Sequence, residues 1–281
     1  MSKSTLRLGV CQIQCSENKS RNFQILKQLI QQSGDDCDVV VFPENSTYIR
    51  VSSNEKYFGS VEIGDPIFYE LSELASSKGV TVILGGVPLK EGELLVNATI
   101  CIRPNSEPQI VYRKIHMFDV DVGDVSIRES DTFTAGENAS IIEVEGWRLG
   151  LTICYDLRFS NLFELYYREK VDLILIPAAF LVETGKAHWE TLVRSRAIEG
   201  QCFVVAPAQV GMHLSEDGER KRYSYGHSLV ISPWGEVMAD LKEEVNVVKV
   251  MELSKDSIKK VQNSIPVCDH RKVKIPLKDF S

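Results

Sequence analysis

Two short apolar runs, "CDVVVFPE" (residues 37–44) and "VDLILIPAAF" (residues 171–180), constrain this chain more than any other feature. Each is bounded, rich in branched residues and without a polar face, which is the pattern of a strand buried on both sides. Such a strand needs a layer of structure on each face. A helix-like stretch stands before each run. Over residues 18–34, Phe23, Leu26 and Ile30 recur at helical spacing and Gly34 marks a stop. Over residues 159–170, Leu162, Leu165 and Tyr166 share one helical face. A strand precedes each helix in turn, "TLRLGVCQIQ" in the first case and "RLGLTIC" in the second. The order strand, helix, strand therefore occurs twice.

The remaining segments extend this plan. Asp65 is placed to cap a helix that opens at Pro66 and runs to about Lys78. "VTVILGGV" reads as a further buried strand. "LLVNATICIRP" and "PQIVYRK" read as an antiparallel pair joined through Pro104–Glu107. A helix around His188 to Gly200 leads to the strand "CFVVAPAQV", and "GHSLVISPWGEVMAD" reads as a hairpin turning at Pro233, Trp234 and Gly235. "VNVVKVMEL" supplies another strand, and a last helix starts near Ser254. The expected fold is α/β: a four-layer α-β-β-α sandwich forming a single domain over residues 1–281.

Composition excludes several function classes. The formal net charge of −7 argues against nucleic-acid and membrane-surface partners, and the basic cluster "ERKRYSY" is short and loop-like. The amino terminus lacks the apolar stretch of a signal peptide. The longest apolar run, residues 173–182, falls far short of the ~20 residues of a membrane span. The chain reads as soluble and cytoplasmic. Its seven cysteines are odd in number and scattered, with no C-x-x-C pair, so neither a disulfide framework nor a cysteine-based zinc site is expected. No phosphate-binding loop, H-E-x-x-H or G-x-S-x-G motif occurs, and the five histidines lack metal-ligand spacing; no metal or cofactor is expected.

Four residues stand where chemistry is possible. Glu44 follows a buried strand at its carboxyl end, where ligands of α/β proteins gather, and it is either a proton shuttle or a carboxylate that caps a turn. Lys114 ends "PQIVYRK"; it could hold an oxyanion, while a surface ion pair is the plain alternative. His116 beside it suits a local hydrogen-bonding role. Glu129, in "SIRES", reads alone as a solvated loop residue. Cys154 ends its strand, with Asp156 as a helix cap and the helix starting near Leu157. A thiol at a helix amino terminus has its pKa lowered by the dipole, whereas Cys37, Cys101 and Cys202 suit inert burial.

Taken together, "VVVFPE", "YRKIHMFD", "RES" and "GLTICYDLRF" resemble the carbon-nitrogen hydrolase (nitrilase-like) superfamily, over nearly the whole chain. The resemblance implies the same sandwich fold and a Glu-Lys-Cys catalytic set with a second glutamate. "AFLVETGKAHWETLVRSRAIEGQCFVVAPAQVGMH", "YGHSLVISPWGEV" and "IPVCDHRK" look like the branch that acts on deaminated glutathione. Two departures are Ser160, where the family mostly has proline, and Gly200, a glycine within a helix.

By that resemblance Glu44 is the general base, Cys154 the nucleophile, and Lys114 with the Tyr155 backbone N–H the oxyanion donors. Glu129 orients Lys114. The implied reaction is hydrolysis of a terminal primary amide of deaminated glutathione, with ammonia released through a cysteine thioester. The alternatives are an omega-amidase acting on α-ketoglutaramate or α-ketosuccinamate, another nitrilase or carbamoylase, and a non-catalytic binding protein. An anionic substrate needs a cation, and Arg158 is the candidate, with an ion pair to Glu164 or Asp156 as its alternative role. Phe180 and Thr184 line the pocket by resemblance, or else serve core packing and a helix cap. A homodimer or larger homo-oligomer is expected, and Phe163, Tyr166 and Tyr167 exceed what one helix face should bury.

Overall fold

The computed structural model describes residues 3–51, 59–122 and 125–272. The chain begins with β1 (Thr5–Gln12), α1 (Lys19–Ser33), β2 (Val39–Phe42), α2 (Pro66–Lys78), β3 (Thr81–Glu91), β4 (Leu94–Ile102) and β5 (Gln109–Arg113). A small hairpin follows, β6 (Asp119–Val122) and β7 (Val125–Arg128). Next come β8 (Ser140–Val144), β9 (Trp147–Leu151), α3 (Ser160–Arg168), β10 (Leu173–Leu175), α4 (Val182–Gly200) and β11 (Phe203–Ala206). The chain then runs through β12 (Val210–Leu214), β13 (Lys221–Tyr225), β14 (Leu229–Ile231), β15 (Val237–Asp240), β16 (Val247–Ser254), α5 (Lys255–Ser264) and α6 (Val267–His270).

Both apolar runs lie at the centre of six-stranded sheets. One sheet has the order β16-β1-β2-β3-β4-β5 and the other β15-β14-β11-β10-β9-β8. In each, three parallel strands (β1, β2, β3 and β9, β10, β11) are flanked by antiparallel ones. The sheets are thus two copies of one plan. In the first, Leu8, Val10, Val39, Val41 and Ile83 join the apolar cluster of the second sheet. Their alternates Cys11, Val40, Phe42, Val82 and Leu84 pack on Phe23 and Leu26 of α1 and Phe68 and Leu71 of α2. Period-two alternation therefore gives both faces an apolar partner. α3 and α4 cover the outer face of the second sheet through Phe163, Tyr166, Trp189 and Val193. The result is the α-β-β-α sandwich, in which each fully buried Val, Leu or Phe contributes about 1.5–3 kcal/mol.

Several local expectations are corrected. The chain does not stop at Gly34 but makes one more 3-10 turn, Gly34–Asp36. Asp65 precedes α2 without capping it by its side chain, which accepts the Glu62 N–H at 3.1 Å instead. α4 starts at Val182, well before His188. In α3, Leu165 is 48% exposed, whereas Leu162, Phe163, Tyr166 and Tyr167 are buried within this chain. The aromatic surplus on that helix is used internally and gives no support to an interface. Tyr167 donates to the Arg196 carbonyl at 3.1 Å, and the Arg196 guanidinium lies 4.7 Å from the Phe163 ring centroid.

Both departures from the family pattern have local explanations. Ser160 is the first residue of α3, the one helical position where proline and serine are both at ease. Gly200 closes α4, and a Cβ there would sit 2.4 Å from Cε1 of Tyr167. Gly200→Ala is expected to destabilise the protein by about 1–3 kcal/mol, since overpacking against a buried ring outweighs the helix-propensity gain. Denaturant unfolding measures this, and an unchanged midpoint would refute the contact's importance. Among the described residues, no helix is long and apolar enough to cross a membrane.

Candidate active site

The sandwich brings separate segments to the carboxyl ends of its central strands. β2 runs through Pro43 into Glu44. β5 ends one residue before Lys114. Glu129 opens a 3-10 turn directly after β7, and Cys154 follows β9. Lys114 Nζ donates to Glu44 Oε1 at 2.8 Å and to Glu129 Oε1 and Oε2 at 2.9 and 2.8 Å. Glu44 and Lys114 are buried and Cys154 is only 8% exposed. Lys114 is therefore no surface lysine, and Glu129, with an 11% exposed side chain, is no solvated loop residue. Its second oxygen also accepts the Phe118 N–H at 2.7 Å.

Burial alone would pull the Lys114 ammonium pKa down. The charges of Glu129 and Glu44 outweigh it and hold the group well above ordinary lysine. The lysine thus stays charged between two carboxylates.

Asn97 belongs to this cluster, and sequence reasoning missed it. Its Nδ2 donates to Glu44 Oε1 at 3.0 Å and to Glu129 Oε1 at 3.1 Å. A lone carboxamide inside the apolar strand "LLVNATICI" was the available signal. Gly86 was missed as well. It lies at a bulge in β3 with φ of 68°, and a Cβ there would come within 2.7 Å of Glu44 Cγ. The Gly86 carbonyl also accepts the Asn45 N–H at 2.8 Å, fixing the chain just after Glu44.

Cys154 is placed differently from the expectation. β9 ends at Leu151, and Cys154 opens a 3-10 turn, Cys154–Arg158, with φ of 48°. α3 begins only at Ser160, preceded by Phe159, so Asp156 does not cap it. Asp156 instead locks the turn. Its fully buried carboxylate accepts from Ile153 N at 2.9 Å, Tyr112 OH at 2.7 Å and His116 N at 3.0 Å, and lies 2.7 Å from His116 Nδ1. His116 has the local role expected of it, its ring stacked on Phe159 at 3.7 Å. The strain of a left-handed cysteine, typically about 1–3 kcal/mol, is sustained by this network. The expected fall in thiol pKa does not occur. Burial pushes the Cys154 thiol well up and the Glu44 charge adds to it, while Lys114 and the Ala179 backbone N–H offset only part.

A cavity of about 860 Å³ opens onto these groups, and Tyr155, Arg158, Phe180 and Thr184 line it. The Tyr155 backbone N–H lies in the first turn, where helical amides lack an internal acceptor, and has none among the described residues. Arg158 pairs with neither Glu164 nor Asp156. Its Nη1 lies 3.3 Å from His188 Nδ1, and its guanidinium sits 5.4 Å from the Phe180 ring centroid. Glu164 is engaged by Arg168 at 3.0 Å and by Arg271. Phe180 also packs on Trp189 at 4.7 Å, and the Thr184 hydroxyl donates back to the Leu181 carbonyl at 3.3 Å. Among the described residues, no cluster of three or more His, Cys, Asp or Glu side chains is arranged to hold a metal.

A buried nucleophile, a carboxylate beside it and a fixed cation define a hydrolase that works by nucleophilic acyl transfer. The "Carbon-nitrogen hydrolase" family profile matches residues 7–263, and the chain belongs to that family. It is an amidase of the nitrilase type. A Yersinia enterocolitica protein named "Deaminated glutathione amidase" is 33% identical, with 94% of this chain and 92% of that protein covered. A Bos taurus protein named "Omega-amidase NIT2" is 32% identical, covering 96% of each. The crystal structure of the C. elegans NitFhit protein superposes with a TM-score of 0.86 at 34% identity, over 97% of this chain. This chain spans 66% of that worm chain.

Proposed function

We propose that the protein hydrolyses the amide joining a 2-oxoglutaryl group to cysteinylglycine in deaminated glutathione. The ion triad of Lys114 between Glu44 and Glu129, facing Cys154, carries the chemistry. The Yersinia relative's name supports the substrate. The expectation of ammonia release from a terminal primary amide does not suit this compound. Both amides of glutathione are substituted peptide-type bonds, so the leaving group is an amine and the products are 2-oxoglutarate and cysteinylglycine.

In this reading Glu44 takes the Cys154 proton as the sulfur attacks the carbonyl carbon. That transfer leaves the total charge of Glu44, Lys114, Glu129 and Cys154 unchanged, which is how a thiol with a raised pKa can still react in a buried site. Lys114 and the Tyr155 N–H receive the oxyanion. Glu44 returns its proton to the departing nitrogen as the C–N bond breaks, leaving a thioester. It then takes a proton from water, whose oxygen attacks the thioester, and the thiol is re-formed. Glu129 and Asn97 hold Lys114 and Glu44 in position. Arg158, which has no carboxylate partner among the described residues, binds the keto-acid carboxylate, with Phe180 and Thr184 forming the adjoining wall.

An omega-amidase is the rival reading, favoured by the bovine relative's name. Comparing kcat/KM on deaminated glutathione, α-ketoglutaramate and α-ketosuccinamate separates the two. The expected result is the highest value on deaminated glutathione, with cysteinylglycine as product. Preference for α-ketoglutaramate, with ammonia released, would overturn it.

A further inference from the structure

The proposed substrate and its omega-amidase rival α-ketoglutaramate give the same acyl group on Cys154. They differ only in what leaves: cysteinylglycine, ending in a carboxylate, or ammonia. Discrimination between them must therefore lie where the leaving group sits. A keto-acid carboxylate and a glycyl carboxylate at opposite ends of one ligand call for two cations.

The β12–β13 hairpin lines a further wall of the cavity through residues 220–223. It is tied to the site through β13: Ser224 bridges Leu181, and the Tyr225 N–H donates to the Phe180 carbonyl at 2.9 Å. Two residues before Ser224, and so on the same face of the strand, Arg222 lines the cavity. Its Nη1 makes one long bond, 3.4 Å, to the Arg50 carbonyl. Its Nε is buried without an acceptor. No carboxylate pairs with it among the described residues. Arg128, at the same cavity, is already committed to Asp121 at 2.8 Å.

The hairpin is held firmly. His213, paired across from Arg222, is fully buried, with Nδ1 2.7 Å from the Cys15 carbonyl and Nε2 2.9 Å from Ser224 Oγ. Burial holds its pKa down at about 4, so His213 is a neutral strut and adds no charge. Arg222 is thus a cation with unused donors on a fixed strand. We propose that Arg222 binds the remote carboxylate of the leaving group and so sets a preference for peptidyl amides over small primary amides. An extended dipeptide reaches roughly 7 Å beyond the scissile carbonyl, and one cavity contains both Cys154 and Arg222.

This inference rests on the substrate reading above, and the experiment keeps the two apart. Three compounds are compared: deaminated glutathione, its C-terminal amide and α-ketoglutaramate. In Arg222→Gln, KM for deaminated glutathione is expected to rise roughly 10- to 100-fold with little change in kcat, because a charge-assisted contact to an unreacting group is lost. The loss in kcat/KM on α-ketoglutaramate should be at least about tenfold smaller. The wild type should suffer a similar penalty on the C-terminal amide, and the variant little more. Arg222→Lys should recover part of the loss. Equal losses on all three compounds, or none on any, would overturn the role of Arg222. A wild type that turns over only α-ketoglutaramate would instead sink the substrate reading, and the inference with it.

Discussion

Replacing Cys154 with alanine is expected to abolish turnover, by a factor on the order of 10⁶, as removal of a catalytic nucleophile typically does. No other group can substitute. Cys11, Cys15, Cys37, Cys101 and Cys202 are buried in the packed layers, and burial pushes the Cys15 thiol to about 12 and the Cys101 thiol to about 11. Cys154 is raised for the same reason, so acidity does not set it apart; its place at the cavity with Glu44 and Lys114 does. Alanine inherits the φ of 48°, and the Asp156 network that holds the turn is untouched, so the thermal midpoint should move little. Rapid quenching of the wild type with deaminated glutathione should leave a 2-oxoglutaryl adduct on the peptide carrying Cys154, and the variant should carry none. Turnover above a hundredth of wild type in Cys154→Ala, or an adduct elsewhere, would refute the assignment. Alkylation is a blunter probe, because Cys268 is part exposed and competes for reagent.

The strands were legible because burial on both faces writes an uninterrupted apolar run, as in "CDVVVFPE" and "VDLILIPAAF". Their pairing was not, because hydrophobicity does not name a neighbour. Glu44 lies 70 residues from Lys114, and only the resemblance put them in one site. The helix after Cys154 starts later than the sequence suggests because a 3-10 turn intervenes, and nothing in "CYDLRF" separates such a turn from a helix start. What fixes that turn is tertiary: Tyr112 and His116 come from β5 and the segment just after it to meet Asp156. Leu165 shares helical spacing with Leu162 and Tyr166, yet it is exposed, because Phe163 and Tyr167 join those two on the inward face. Asn97 and Gly86 were readable as anomalies, a polar residue in an apolar strand and a second glycine at a bulge. Their meaning depended on Glu44 being beside them.

The second large effect concerns Lys114, whose loss should damage both rate and stability. Lys114→Ala removes an oxyanion donor, which alone costs on the order of 10²–10³ in turnover. It also leaves Glu44 and Glu129, both bonded to Asn97, as two buried carboxylates with no cation between them. Breaking a buried ion pair by deleting one partner typically costs about 3–5 kcal/mol. The sign of the pH dependence follows from linkage. In the native protein the lysine pKa is raised, so its contribution is complete below the ordinary lysine pKa and is lost only as strongly alkaline pH is approached. Lys114→Ala is therefore expected to lose about 3–5 kcal/mol of stability at neutral pH together with its rate. Lys114→Ala with Glu129→Gln should recover much of the stability but not the rate, because the charge imbalance is relieved while the oxyanion donor is still missing. Urea unfolding of the wild type and the two variants at neutral pH tests this. A single variant as stable as the wild type would show that the triad is not coupled as its geometry implies.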